Sequence, residues 1–392
     1  MLTYKQNIFD VLVKYENGIS EYSIKSESGV RIEHSNNMTE VYTCEDTMAI
    51  DDVKLSISNE YLCKLNNLVS KFYKYLEVNK IKLSSYLYLH NEKVLINDIK
   101  DLRNYGFLKI VFEKNDYFTI EEIPITTTNF DVLENEVQKV MDKNSPFLKF
   151  SIVNKYHKKF NDIPIVFSPH AAGFLIHEIL GHTLEYDIYK YYADKYKYLK
   201  FNHKLNVKDD PRKFSELTGI GRYDDMGIPT DSISLVKNGV ISNVFSLNAD
   251  NSRDGFAYGV GRRENYKYNV LPRARCTYLE PVDNMDQSAI VSKYRRCILV
   301  NKIHSGGVNP KSGDFELSGI GFLVNNNNIQ NLIGNLKISG NLLRNFDTIE
   351  YIGNDLEFLG GYCFKLGQNV RIAVGAPATS MYDLTVEGDF CD

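Results

Sequence analysis

Between residues 20 and 58 apolar and polar positions alternate (Ile24, Val30, Ile32, Val41, Tyr42) between turn-like Gly and Asn residues, which predicts a strand meander. Over 58–78 the period lengthens. Leu62, Leu65, Val69, Phe72 and Leu76 recur three and four apart, the apolar stripe of an amphipathic helix. Strand-like runs follow at 84–88 and 107–113. The stretch 115–130, with Pro124 and the run Thr126 to Thr128, reads as a connection, and 129–144 as a second helix. A boundary near 125–150 divides the chain into an N-terminal α+β unit, 1–145, and a C-terminal unit, 146–392.

Beyond that boundary, 163–168 is a short apolar strand ended by Pro169, and a helical pattern begins around Ala171. From about 215 onward short strands and Gly/Asn turns dominate. Residues 232–246 predict a hairpin whose Asn238-Gly239 supplies the positive φ angles of a two-residue turn. Gly-rich breaks at 305–307, 319–321, 334–340, 353 and 360–361 suggest a continuing strand–turn rhythm, and the Asn325 to Asn328 run a solvated hairpin tip. The expected class is α+β, with one helix feeding a large, mostly antiparallel sheet.

A chain of 392 residues, at about 150 per domain, holds two or three packed units. Hydrophobic residues at 43% and charged residues at 24% describe a globular protein and exclude a disordered one. The charge balance, 46 − 50 = −4, argues against a nucleic-acid partner. No apolar run approaches the roughly 18 residues of a membrane span. The first residues carry charges through what would be a signal peptide's apolar core, so the expected location is cytoplasmic. Six cysteines are scattered without CxxC pairs, which predicts neither a disulfide framework nor a zinc knuckle.

One segment carries chemistry: His170-Ala-Ala-Gly-Phe-Leu-Ile-His177-Glu178-Ile-Leu-Gly181-His182-Thr-Leu-Glu185-Tyr-Asp187. A His-Glu pair followed by a second His is the logic of helix-borne zinc hydrolases. Two imidazoles hold the ion, and the carboxylate takes a proton from the attacking water. The usual spacing is i,i+4, about 40° around an α-helix of 3.6 residues per turn. His177 and His182 stand at i,i+5, about 140° apart on a straight helix, and cannot chelate one ion from it. A π-type bulge or a bend would bring them together, and Gly181 lowers the steric cost of either. For a third ligand the spacing leaves Glu185, Asp187, His170, His203, His304 and any cysteine open.

The segment HEILGHTLEYD resembles the metal motif of the TldD/PmbA metalloprotease family. Further family-like blocks follow in order: 219–244, 259–278, 305–324, 354–378 and the terminal 383–388. The likeness covers roughly 160–390. It implies a zinc metallopeptidase of the TldD type, the subunit that keeps the metal motif, with His177, His182 and Cys363 (in GGYCFKLGQ) holding one Zn2+ and Glu178 as general base. It further implies unfolded or leader-type peptides as substrates, cut inside a dimeric chamber that 1–145 helps to form. The partner would be a TldE/PmbA-like paralogue or a second copy. Gly360 and Gly361 would let the Cys363 backbone approach the helix. Glu185 and Asp187 are candidates to orient an imidazole or to form a solvated helix end; Arg262 and Arg263 are candidates to line a substrate channel or, the favoured alternative, to pin a loop by ion pairs; and His304 is a candidate to meet the peptide. Asp224 and Asp225, before Gly227, read as turn builders. Two other functions stay open: a non-catalytic assembly subunit with a structural metal, and a metal-dependent amidase acting on small molecules.

Overall fold

The structure, a computed structural model, describes residues 1–16, 19–34, 38–43, 58–78, 80–126, 129–150, 154–196, 198–247 and 255–391. The chain begins with β1 (Leu2–Glu16), β2 (Ile19–Glu33) and β3 (Thr39–Thr43), and after helix α1 (Asn59–Val78) it continues with β4 (Lys82–Ile96), β5 (Ile99–Lys114) and β6 (Tyr117–Pro124). These form one antiparallel sheet in the order β3-β2-β1-β4-β5-β6. β6 corrects the expectation of a connection over 115–130. Its residues alternate strictly between buried and less buried positions, and Pro124 stands at its end, where a missing N–H costs the ladder little. The expected meander is present in β2 and β3, and its remainder, 44–57, lies outside the described residues. Helices α1 and α2 (Phe130–Lys143) lay Leu65, Leu68 and Leu76, and Leu133, Val137 and Met141, into one core with Leu83, Leu87, Leu108 and Phe112 of the sheet. The carbonyl oxygen of the Asn129 side chain caps α2 by accepting from Asp131 N at 3.0 Å.

After the short helix α3 (Ser145–Lys149), β7 (Lys155–Phe160) and β8 (Ile165–Phe167) enter a second sheet of eight strands. Its long members are Arg296–Val308, Asp314–Asn325 and Asn328–Asn341; all its pairings are antiparallel except that of β8 with Arg296–Val308. A third sheet of six strands includes Val207–Asp209, Cys276–Leu279, Gln368–Ala376 and, at its edge, Glu357–Lys365. Helix α4 (Pro169–Ile176) packs against strands of both these sheets, on Arg296–Val308 and on Gln368–Ala376. Its sequence PHAAGFLI is apolar nearly all round, as an element enclosed on every side must be. At Gly173 an added Cβ would stand 3.3 Å from the backbone N of Gly375, so the helix approaches that strand closely.

Asn238 and Gly239 make the predicted turn with φ of 49° and 74°, and Asn326 and Asn327 the predicted hairpin tip with φ of 48° and 64°. The first hairpin is shorter than expected. Ile233–Lys237 pairs with Val240–Ile241, whereas Val244–Phe245 turns aside to pair in parallel with Phe256–Ala257. The Gly-rich segments from 305 to 340 are not breaks. They lie inside long strands at β-bulges, where backbones crowd: a Cβ on Gly319 would stand 1.9 Å from the Lys302 carbonyl oxygen, and one on Gly321 2.6 Å from that of Leu299.

Candidate metal centre

The helix carrying the histidines changes its winding where the spacing demands it. α4 ends at Ile176, and His177–Gly181 form a π turn in which the N–H of His182 donates to the carbonyl of His177. That i→i+5 bond widens the turn and returns position i+5 to the face of position i. The two rings stand 5.0 Å apart between centroids. The third group arrives from the edge strand Glu357–Lys365. The ring nitrogens of His177 and His182 and the Cys363 sulfur offer donor atoms that all lie within 4.8 Å of one another, the one such group of three among the described residues.

His177 is wholly buried, and apart from the Cys363 sulfur it faces, neither ring nitrogen has a hydrogen-bond partner among the described residues. An imidazole left so loses the free energy of its polar atoms unless something else binds them. Cys363 is buried too, its Sγ 3.2 Å from His182 Nε2. Burial pushes the Cys363 thiol up, but the imidazoles of His177 and His182 outweigh it and bring it down to about 5. Burial pushes His182 down, yet the Glu185 carboxylate and the Cys363 sulfur hold it well above the usual histidine range. Two nitrogens and one thiolate suit Zn2+, which takes three protein ligands and leaves a position free in catalytic sites. The residues present therefore fit a zinc ion.

Around these donors lies a layer of charge. Glu185, fully buried, has Oε2 at 3.1 Å from His182 Nδ1, and its Oε1 accepts from the backbone N of Ala274 at 3.2 Å. Burial would raise the Glu185 carboxyl, but His182 and Lys365 bring it down to about 2. Lys365 Nζ donates to Glu185 Oε2 and to Asp187 Oδ1, each at 2.8 Å, and to the Pro272 carbonyl at 3.3 Å. Of the two candidate carboxylates, Glu185 is thus the one on the imidazole, and Asp187 reaches the lysine that braces it. Glu178 Oε2 lies 3.9 Å from His182 Nε2, and about a fifth of its side chain (21%) is open to solvent.

The other sequence candidates lie elsewhere. His203 is exposed. His170 stacks on Phe174, and burial, with Lys302 nearby, holds it well below the usual range. His304 stacks on Phe118 at 4.4 Å, and burial followed by Lys302 lowers it to about 4. Arg263 is buried over the Tyr4 ring and pairs with Glu33 at 3.1 Å. Asp224 builds the expected turn by accepting from Met226 N and Ile228 N. Gly361 faces Phe174 of α4, whereas Gly360 makes room for the Arg371 guanidinium, not for the helix. A cleft of about 240 Å³ between β1, β4, β5 and residues from 218–371 is lined by Asp10, His90, Arg103 and Tyr362 among others, but by none of the three donors. Tyr362 and Cys363, adjacent on one strand, point to its opposite faces.

Two residues at the centre were not singled out in the sequence. Lys365 carried a signal, since it stands two beyond Cys363 and shares its strand face. Arg273 carried none. It is wholly buried, and its Nη2 donates to the Cys363 carbonyl at 2.6 Å.

Fold and site together define an α+β protein with a largely buried His–His–Cys donor set and a carboxylate beside the first histidine. The profile of the PmbA/TldA metallopeptidase C-terminal domain matches residues 161–388, more than half of the chain, and the protein belongs to that family. The zinc metalloprotease TldD homolog of Saccharolobus solfataricus is 27% identical over 71% of this chain and 64% of its own length. A metalloprotease TldD homolog of Buchnera aphidicola is 30% identical over 57% of this chain and 48% of its own. The chain thus spans about half to two thirds of these curated relatives. Among solved structures, TldE of Thermococcus kodakarensis superimposes with a TM-score of 0.69 over 98% of this chain and 96% of that one, at 14% identity, which establishes the shared fold. Among the described residues no helix is long and apolar enough to cross a membrane.

Proposed function

We propose that this chain is a zinc-dependent peptide hydrolase of the TldD type, in which His177, His182 and Cys363 hold one Zn2+. The observation that carries the reading is the convergence of two imidazoles and a thiol from separate elements, with both His177 nitrogens otherwise unpaired. The names of the relatives point the same way.

A bound zinc ion would act as a Lewis acid on the scissile carbonyl and make water a better nucleophile at neutral pH. The chain's own residues do the rest. Glu178, partly open to solvent beside His182, takes the proton of the attacking water and returns it to the leaving amine. Glu185 fixes the tautomer and orientation of His182 through Nδ1, as carboxylates behind metal-binding imidazoles do. Substrates on this reading are unfolded or leader-type peptides, which an exposed strand edge can hold in extended form. The cut is made in a chamber shared with a TldE/PmbA-like paralogue or a second copy, with 1–145 and 146–392 as the two units of each subunit.

The test is Glu178→Gln, assayed on a denatured protein with mass analysis of the fragments. The variant is expected to keep its metal and lose about 10²- to 10⁴-fold in turnover. A wild type that holds zinc but cuts nothing, with its variant indistinguishable, would make the metal structural. Turnover of small amides but not of peptides would redirect the reading to an amidase. Cys363→Ala should lower the zinc content found by elemental analysis, and unchanged content would remove the thiol from the donor set.

A further inference from the structure

Among the described residues, the edge strand that brings Cys363 is hydrogen-bonded to a neighbouring strand on one side only, Gln368–Ala376. Sheet pairing alone therefore does not fix the sulfur against the two histidines, which sit on a different element. Three consecutive residues from elsewhere in the chain bridge that gap. The Pro272 carbonyl accepts from Lys365 Nζ at 3.3 Å, Arg273 Nη2 donates to the Cys363 carbonyl at 2.6 Å, and Ala274 N donates to Glu185 Oε1 at 3.2 Å. Two of these contacts hold the strand and one holds the carboxylate behind His182.

Arg273 is the unusual member. Its side chain is wholly buried, and its Nε and Nη1 have no hydrogen-bond partner among the described residues. Burying a guanidinium so incompletely satisfied is costly and needs a return. We propose that Arg273 is a positioning residue for the metal centre, tying the Cys363 backbone so that the sulfur meets His177 and His182. This rests on the zinc reading above.

The experiment titrates metal-free protein with Co2+. The thiolate-to-cobalt charge-transfer absorption reports the sulfur bond, and competition with a chromogenic chelator reports affinity. Wild type is expected to bind stoichiometrically with a charge-transfer band that Cys363→Ala abolishes. Arg273→Met, checked for folding by circular dichroism and cooperative melting, should show a displaced or weakened band and about 10- to 100-fold lower affinity. Arg273→Lys should recover only part of that loss, because an ammonium cannot reproduce the planar fork. Wild-type band and affinity in folded Arg273→Met overturn the role of Arg273. Should Arg273→Met not fold, Arg273→Lys carries the test, and wild-type values in both readouts overturn it equally. A wild type that takes up no cobalt is a different failure, that of the zinc reading itself.

Discussion

Cys363 and His182 depart from their ordinary titration in opposite directions, and each departure runs against burial. Both shifts favour a thiolate facing an imidazolium across 3.2 Å in the metal-free pair, with the Glu185 carboxylate behind. Zinc requires the imidazole neutral, so its uptake at pH 7 is expected to release about one proton from the coupled pair. Calorimetry in two buffers of different ionisation heat counts it, and zero protons would show that the pair carries none before the metal arrives. The same shifts set a pH dependence. A thiol depressed from about 8.5 in the unfolded chain contributes stability that is complete above that value. It is lost as pH falls through about 5, the folded value. His182, raised, contributes fully below about 6.5 and loses its share as pH climbs through its folded value. Metal-free protein should therefore melt highest near neutrality, and Cys363→Ala should flatten the slope between about pH 8.5 and 5. An unchanged slope in the variant would show that the thiol is not depressed.

At the scale of elements, the i,i+5 spacing was legible as a demand for irregular backbone, and the π turn His177–Gly181 is the form it takes. Gly181 is not what compels the turn. A Cβ there would meet His177 Nδ1 at 3.5 Å and the Ala274 side chain at 3.7 Å, both ordinary contacts, and its φ is not positive. Gly181→Ala should therefore melt within a degree of stability worth about 1 kcal/mol of wild type and keep its metal. Gly360→Ala should cost more, since its Cβ would stand 2.1 Å from Arg371 Nη2. If Gly181→Ala loses metal while Gly360→Ala does not, this account of the two glycines is reversed. The same contrast shows what a sequence carries. Periodicity gave α1 and α2 nearly to the residue, because amphipathic helices write their packing face into local spacing. β6 and the bulged glycines were missed, because a Pro at a strand end and a Gly under a neighbouring backbone look alike as turns until the partner strand is known. Cys363 was reachable only through family likeness, and Arg273 not at all, because both meet the histidines across long sequence separations that no period encodes.

Across the whole molecule the residues before and after the 125–150 stretch share one core. Each sheet draws its strands from one side of the 125–150 boundary, yet Val166, Leu299, Phe322 and Leu332 of the eight-stranded sheet lie in the same cluster as the helices and sheet of 1–145. A fully buried ion pair, Lys302 Nζ to Glu121 at 2.6 Å, crosses the same contact. Burial pushes Lys302 down to about 8, although Glu121 opposes it. Removing one partner leaves the other charge stranded in the interior, so Glu121→Leu should destabilise by about 3–5 kcal/mol. Replacing both, Glu121→Leu with Lys302→Met, should recover most of that loss, since matched apolar groups are often no worse than a buried pair. The pair also pins the first unit over the strand Arg296–Val308, one of those that α4 packs on. Loss of the contact should thus reach the metal centre: a fragment of 146–392 produced alone is expected to expose this apolar face, aggregate, and bind cobalt poorly unless 1–145 is supplied with it. A monomeric fragment that melts cooperatively and binds cobalt as the full chain does would show that the C-terminal unit builds its site unaided, and that the shared core serves another purpose than supporting it.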